Sequence, residues 1–305
     1  MNRNHFIPAL LAFGASVAAS QASLLLYEGF NYGVADGSTI NGAAATAFGS
    51  QGNWAVNNTI ASGGAASSVY KTAGLSFGSN FETSSGALLM SATYSGTNSA
   101  SAATVRLNTT GTGTIWGSYL VNFTTLGLGG NGSLLAGVGP TAGPSDGSAV
   151  NFKSAMLTNA TASDFKLANG YDPTSTPSSN FGFATSTTYL FISRYTNVGT
   201  PLSGVTTGSG RTWALTQAQY DAWLIAGATE ATLDANSSVR ISDAAVTSGT
   251  FAFDSNGYVT LRVDAPDVNG RQLVATVDEV RFGTAIDDIY VVPEPSVALL
   301  GFGSG

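Results

Sequence analysis

The chain has 305 residues, a net charge of −7 at pH 7, 43% hydrophobic residues, only 10% charged residues and no cysteine. The acidic balance excludes a nucleic-acid footprint, which needs clustered Lys and Arg. The missing thiols exclude a disulfide framework and thiolate chemistry, while the apolar content suffices for a large core of Gly-punctuated short strands.

The first segment, MNRNHFIPALLAFGASVAASQAS, places Arg3 in a short polar start, an apolar run from Phe6 to Ala19, and small residues at Ser20 and Ala22. That order predicts a secretory signal peptide over residues 1–22. Cleavage after Ala22 removes His5, the one histidine. The mature chain then lacks both His and Cys, so Ser-His-Asp and Cys-His nucleophiles and His- or Cys-ligated zinc are excluded. Carboxylate chemistry, an oxygen-ligated ion, or no catalysis remain.

From Leu24, LLLYEGFNY opens with a strand-like run, and residues 33–86 read as loops with short strands such as Ser67–Tyr70. ALLMSATY predicts a strand around Leu88. TIWGSYLVNF sets Ile115, Tyr119, Val121 and Phe123 against Trp116 and Leu120, so both faces are apolar and the strand is central in a packed sheet. SLLAGVG, SAVNFKSAML, DFKLA and TTYLFISRYT follow as strands. Tyr171–Asn180 and much of Asn197–Gly210 read as loops.

One helix is predicted. Thr216 and Gln219 form a T-x-x-Q capping box, Leu215 and Tyr220 a hydrophobic staple, and Gly227 a C′ stop. Trp223, three residues after Tyr220, lies on the apolar face and reads as core rather than as a sugar platform. SVRIS, GTFAF, GYVTLRVD and QLVATVDEVRFG complete the strands, with Ser255–Gly257 as a hairpin turn between two of them. No repeat and no long linker divides residues 23–290. The pattern predicts a single all-β domain: a two-sheet antiparallel jelly-roll sandwich with one short helix.

The candidate chemistry is sparse. In TVDEVRFG, strict alternation puts Thr276, Asp278, Val280 and Phe282 on one face and Val277, Glu279 and Arg281 on the other. Asp278 among apolar neighbours is expected to be a buried structural carboxylate held by backbone N–H groups. Glu279 and Arg281 are expected as a solvated pair. Asp287 and Asp288 are adjacent and not an acid/base pair by spacing, and no close run of alternating carboxylates of the laminarinase type occurs. Catalytic residues, metal ligands and cofactors are therefore expected to be none. Trp54, Trp116, Trp213 and Trp223, with eleven Tyr, fit either a glycan-binding face or an ordinary core.

The chain closes on VVPEPSVALLGFGSG. Pro293-Glu294-Pro295 followed by an apolar run resembles the PEP-CTERM sorting signal. In that family the motif precedes a transmembrane helix and a basic cluster, and an exosortase is thought to process it in exported proteins linked to exopolysaccharide and biofilm. Val297–Gly305 is shorter than the roughly 20 residues a span needs, so the signal over 291–305 is expected to be truncated, with its anchor beyond Gly305. LLLYEGFNY and TVDEVRFGTAIDDI also resemble the first and last strands of PEP-CTERM proteins with a concanavalin A/laminin G-like sandwich. The resemblance implies an exported, non-catalytic cell-surface or matrix protein, with the exosortase machinery and extracellular polysaccharide as partners. The alternative is a carbohydrate-binding or carbohydrate-cleaving lectin-like domain, marked by a concave groove with exposed Trp or Tyr beside polar groups.

Overall fold

The structure, a computed structural model, describes residues 24–44, 48–59, 64–96, 99–126, 133–139, 152–158, 165–169, 180–181, 183–202, 208–237, 239–246, 249–250, 252–265 and 268–290. The signal peptide and the Pro293–Pro295 motif lie outside them, as does most of the Tyr171–Asn180 loop. Among the described residues no helix is long and apolar enough to cross a membrane.

Two antiparallel sheets face each other. The larger contains, in spatial order, β14 (Val239–Val246), β13 (Gly208–Leu215), β11 (Thr188–Val198), β6 (Gly113–Leu126), β17 (Gln272–Gly283), β4 (Ala87–Thr93) and β3 (Ala65–Lys71), and β1 (Leu24–Glu28) also pairs with β17. The smaller runs β10 (Asn180–Phe181), β9 (Phe165–Asn169), β8 (Phe152–Thr158), β7 (Ser133–Gly139), β16 (Tyr258–Asp264), β5 (Ala100–Leu107) and β2 (Ser50–Thr59). The expected two-sheet antiparallel sandwich is thus present.

Period-2 patterning builds the core between the sheets. Tyr119, Val121 and Phe123 of β6, Leu273, Ala275 and Val277 of β17, and Leu88 and Met90 of β4 point inward from one sheet. Val105 of β5, Leu134 and Val138 of β7, and Val259, Leu261 and Val263 of β16 meet them from the other.

The other face of β6 is also buried, as its two-sided apolar pattern requires. Trp116 and Leu120 join Leu190, Ile192, Trp213 and Leu215 of β11 and β13 in a second core outside the larger sheet. Its roof is α1 (Gln217–Ile225), α2 (Glu230–Asn236), the 3-10 turn Ile286–Ile289, and Phe77 and Phe81 of the loop after β3. Trp116 and Trp213 stack at 5.9 Å and 17°. Fully burying side chains of this size contributes about 1.5–3 kcal/mol each, which is why this face needs a cover.

Helix α1 starts and stops as predicted. Thr216 N donates to Gln219 Oε1 at 2.8 Å. At its end Ala228 N donates to Trp223 O and Gly227 N to Leu224 O, with Gly227 at φ +98°, a Schellman motif. Helix α2 is an addition to the single helix expected. Its cap is Thr229, whose hydroxyl accepts from Thr232 N. Its outer side is pinned to the sheet by Arg194 with Glu230 and by Arg211 with Asp234 at 3.1 Å.

The turn at Ser255–Gly257 forms, with Gly257 N donating to Asp254 O at 2.9 Å, but it does not close a hairpin. The strand before it, β15 (Gly249–Thr250), pairs with β12 (Pro201–Leu202), whereas β16 pairs with β5 and β7. β12 and the start of β13 also fall inside the stretch expected as loop.

Candidate functional site

Asp278 is fully buried and its Oδ2 accepts from Leu75 N at 2.8 Å, its Oδ1 from Glu279 N at 2.8 Å. Its face is not the predicted one. β17 pairs with β4 as far as Val277, then with β1 from Val280, and its register with β6 shifts between Asp278 and Arg281. Glu279 at φ +53° takes up the extra residue of this bulge. The alternation therefore inverts: Val277, Val280 and Phe282 all reach the inter-sheet core. Asp278 and Arg281 are left facing the second core.

The expected solvated Glu279–Arg281 pair is corrected for the same reason. Both are buried, 3.0 Å apart, because the bulge turns them under the loop between β3 and β4. Glu279 Oε1 accepts from Ser84 N, and Arg281 Nη2 donates to Glu82 O at 3.2 Å. The cluster clips that loop to β17. Burial, with the nearby Glu279 carboxylate, pushes the Asp278 carboxyl up to about 8, and burial also raises Glu28, which accepts from Phe30 N at 2.6 Å. Asp278, Glu279 and Arg281 each bond backbone of the same loop, at Leu75 N, Ser84 N and Glu82 O, so the three act together as a structural clip.

The tryptophans offer no stacking surface: Trp54, Trp116, Trp213 and Trp223 are all buried. Among the described residues no group of three or more Asp, Glu, His or Cys is placed to hold a metal.

A groove of about 300 Å³ opens on the outer face of the smaller sheet, lined by Gln51, Gly52, Asn53, Ala55, Thr104, Arg106 and Tyr258. Its origin is local. Gln51 pairs with Arg106 and Ala55 with Thr104, so Gly52, Asn53 and Trp54 bow away opposite a single residue of β5. Gly52 at φ +77° permits this bend, and Trp54 is thrown inward onto Phe30, ring centroids 5.8 Å apart. The bow leaves a trough with Thr104 as its floor. Gln51, Arg106 and Tyr258 form one row across β2, β5 and β16, and the next position in that row, on β7, is Gly139. Arg106 Nε donates to Ser255 O at 3.0 Å and Gln51 Nε2 to Leu107 O at 2.9 Å, which orients both side chains. Tyr258 is half-buried and Asn53 exposed.

A second groove of about 510 Å³ lies between the loop after β3, the turn before β11 and the start of α1. Its one aromatic, Phe77, is 1% exposed and belongs to the second core. Only the first groove combines an accessible ring with oriented polar groups. Sequence reading did not single out Arg106 or Tyr258. The available signal was alternation in ASAATVRL and GYVTLRVD, which puts Thr104, Arg106, Tyr258 and Thr260 opposite the core-facing Val105, Val259 and Leu261.

No protein-family model matches the chain, and no curated protein matches its sequence. Among solved structures, similarity is found to the carbohydrate recognition domain of Emp47p, at 8% identity and a TM-score of 0.41, covering 82% of this chain and 95% of that one. A structure described under endo-acting O-glycanases of the human gut microbiota matches at 12% identity and 0.40, covering 86% and 99%. The cellulose-induced protein Cip1 matches at 10% and 0.39, covering 76% and 91%. At these scores the sandwich assignment rests on the chain's own two sheets.

Proposed function

We propose that the protein is an exported carbohydrate-binding module, carried to the cell surface by its leader and its Pro293-Glu294-Pro295 sorting motif, and that it binds without cleaving. The observation that carries this reading is the groove in which the half-buried ring of Tyr258 sits beside Arg106, Gln51 and Asn53. A sugar ring lays its C–H face on an aromatic plane while its hydroxyls meet fixed donors and acceptors at the edge, the arrangement of apolar floor and few oriented polar groups expected of a ligand site. The lining contains no Asp or Glu. Glycoside hydrolysis by the usual route needs two carboxyl groups flanking the bond, so this lining supports binding over cleavage. The export and exosortase part of the proposal rests on the terminal motifs.

The test is a glycan array probed with the purified protein and with Tyr258→Ala. The reading expects a defined set of hits that Tyr258→Ala loses while its melting temperature stays close to wild type. An empty array, or hits indifferent to Tyr258, would instead favour a surface scaffold with no sugar site in this groove.

A further inference from the structure

We infer that Arg106 makes the groove selective for a carbohydrate bearing a carboxylate, a hexuronate in a polyanionic polysaccharide; this rests on the reading that the groove holds a glycan. Arg106 is the only charged residue among those lining the groove. Arg194 and Arg211 face Glu230, Arg262 faces Asp264 and Arg281 faces Glu279, each within ion-pair distance. Arg106 has no such partner among the described residues; its hydrogen bond is the one from Nε to Ser255 O. That bond fixes the plane of the guanidinium and leaves its Nη1/Nη2 edge for a ligand. Two parallel N–H donors in one plane match the two oxygens of a carboxylate. A sulfate ester can also meet such a fork, so a sulfated polymer is the control that separates the two anions.

The neighbours agree with this assignment. Tyr258 is the direct cross-strand partner of Arg106, so their Cβ atoms lie about 5 Å apart on the same face of the sheet. A pyranose on the tyrosine would therefore bring a carboxylate on its C5 substituent within reach of the arginine. Gln51, the partner of Arg106 on the other side, keeps its amide oxygen toward a hydroxyl after its nitrogen is taken by Leu107 O. In a chain of net charge −7, an unpaired cation in a groove free of acids concentrates local attraction for an anion that the rest of the surface repels.

Affinity electrophoresis of the purified protein in gels containing polygalacturonate, alginate or hyaluronan, each against its carboxyl-reduced form, tests the inference, with dextran sulfate as a further arm. At least one uronate polymer is expected to retard the protein with affinity about tenfold above its carboxyl-reduced form, weakening as salt is raised. Arg106→Gln should abolish the difference between the two forms. Equal binding of both forms would overturn the selectivity and leave the glycan site standing. Equal or stronger Arg106-dependent retardation by dextran sulfate would overturn the carboxylate assignment. Retardation by none of the polymers overturns the inference, and an empty array besides would overturn the site itself. Should Arg106→Gln fail to fold, the wild-type comparison of each polymer with its reduced form still decides.

Discussion

Asp278 holds a carboxyl group away from water with two backbone N–H donors and a second acid, Glu279, at the next position. Its proton is retained to about pH 8 in the folded chain, whereas an exposed Asp loses its proton near pH 4. Between those values the native state binds a proton that the unfolded state has released, so stability falls as pH rises through the window. Glu28, also raised, acts in the same direction. The melting temperature is therefore expected to drop from pH 5 to pH 8, and Asp278→Asn to flatten much of that slope; a slope of opposite sign, or one unchanged by the substitution, would refute the assignment. Asp278→Ala, which orphans Leu75 N, should cost about 1–3 kcal/mol in denaturant unfolding. The burial of Asp278 was legible from its apolar neighbours. Its true face was not, because a non-Gly residue at positive φ, Glu279, leaves no mark in an alternating pattern.

At the scale of elements, what could be read in advance follows from how local the determinants are. Helix α1 carries its cap, staple and stop within its own sequence: the Thr216–Gln219 bond and the Schellman turn form, and the staple residues Leu215 and Tyr220 are both buried in the second core. Gly227 has open space where a Cβ would go, so its φ of +98° is the whole cost of replacing it. Gly227→Ala is expected to destabilise by about 1 kcal/mol, a shift of a few degrees in melting temperature for a chain of this size. A neutral effect in calorimetry would mean that the Schellman turn contributes nothing. Helix α2 escaped notice because Thr229 and Thr232 are not the usual capping pair and its single buried residue is Leu233. β2 was hidden by its own bulge at Gly52, which breaks the alternation of SQGNWAVNNT, and that same bulge opens the groove.

For the molecule as a whole, the two sheets divide the labour. The larger sheet is covered on both faces, by the inter-sheet core and by the helices, whereas the smaller sheet carries the groove on its outer face. The sandwich class was legible in the strand pattern, whereas the proposed export rests on the two termini, which lie outside the described residues. The candidate site was not, since it is assembled from three strands distant in the chain and from residue types that occur on any sheet surface. With no acidic cluster among the described residues, millimolar calcium is expected to leave the melting temperature nearly unchanged; a rise of more than about ten degrees, as tight linkage would give, would reveal a metal site. The central claim is that the Tyr258 groove holds sugar. Titrating the strongest array ligand into wild-type protein and into Tyr258→Ala by calorimetry tests it most directly. The account predicts saturable one-site binding that weakens by at least about tenfold, or 1.4 kcal/mol, in the variant; equal affinity in the two proteins, or no heat of binding in either, would contradict it.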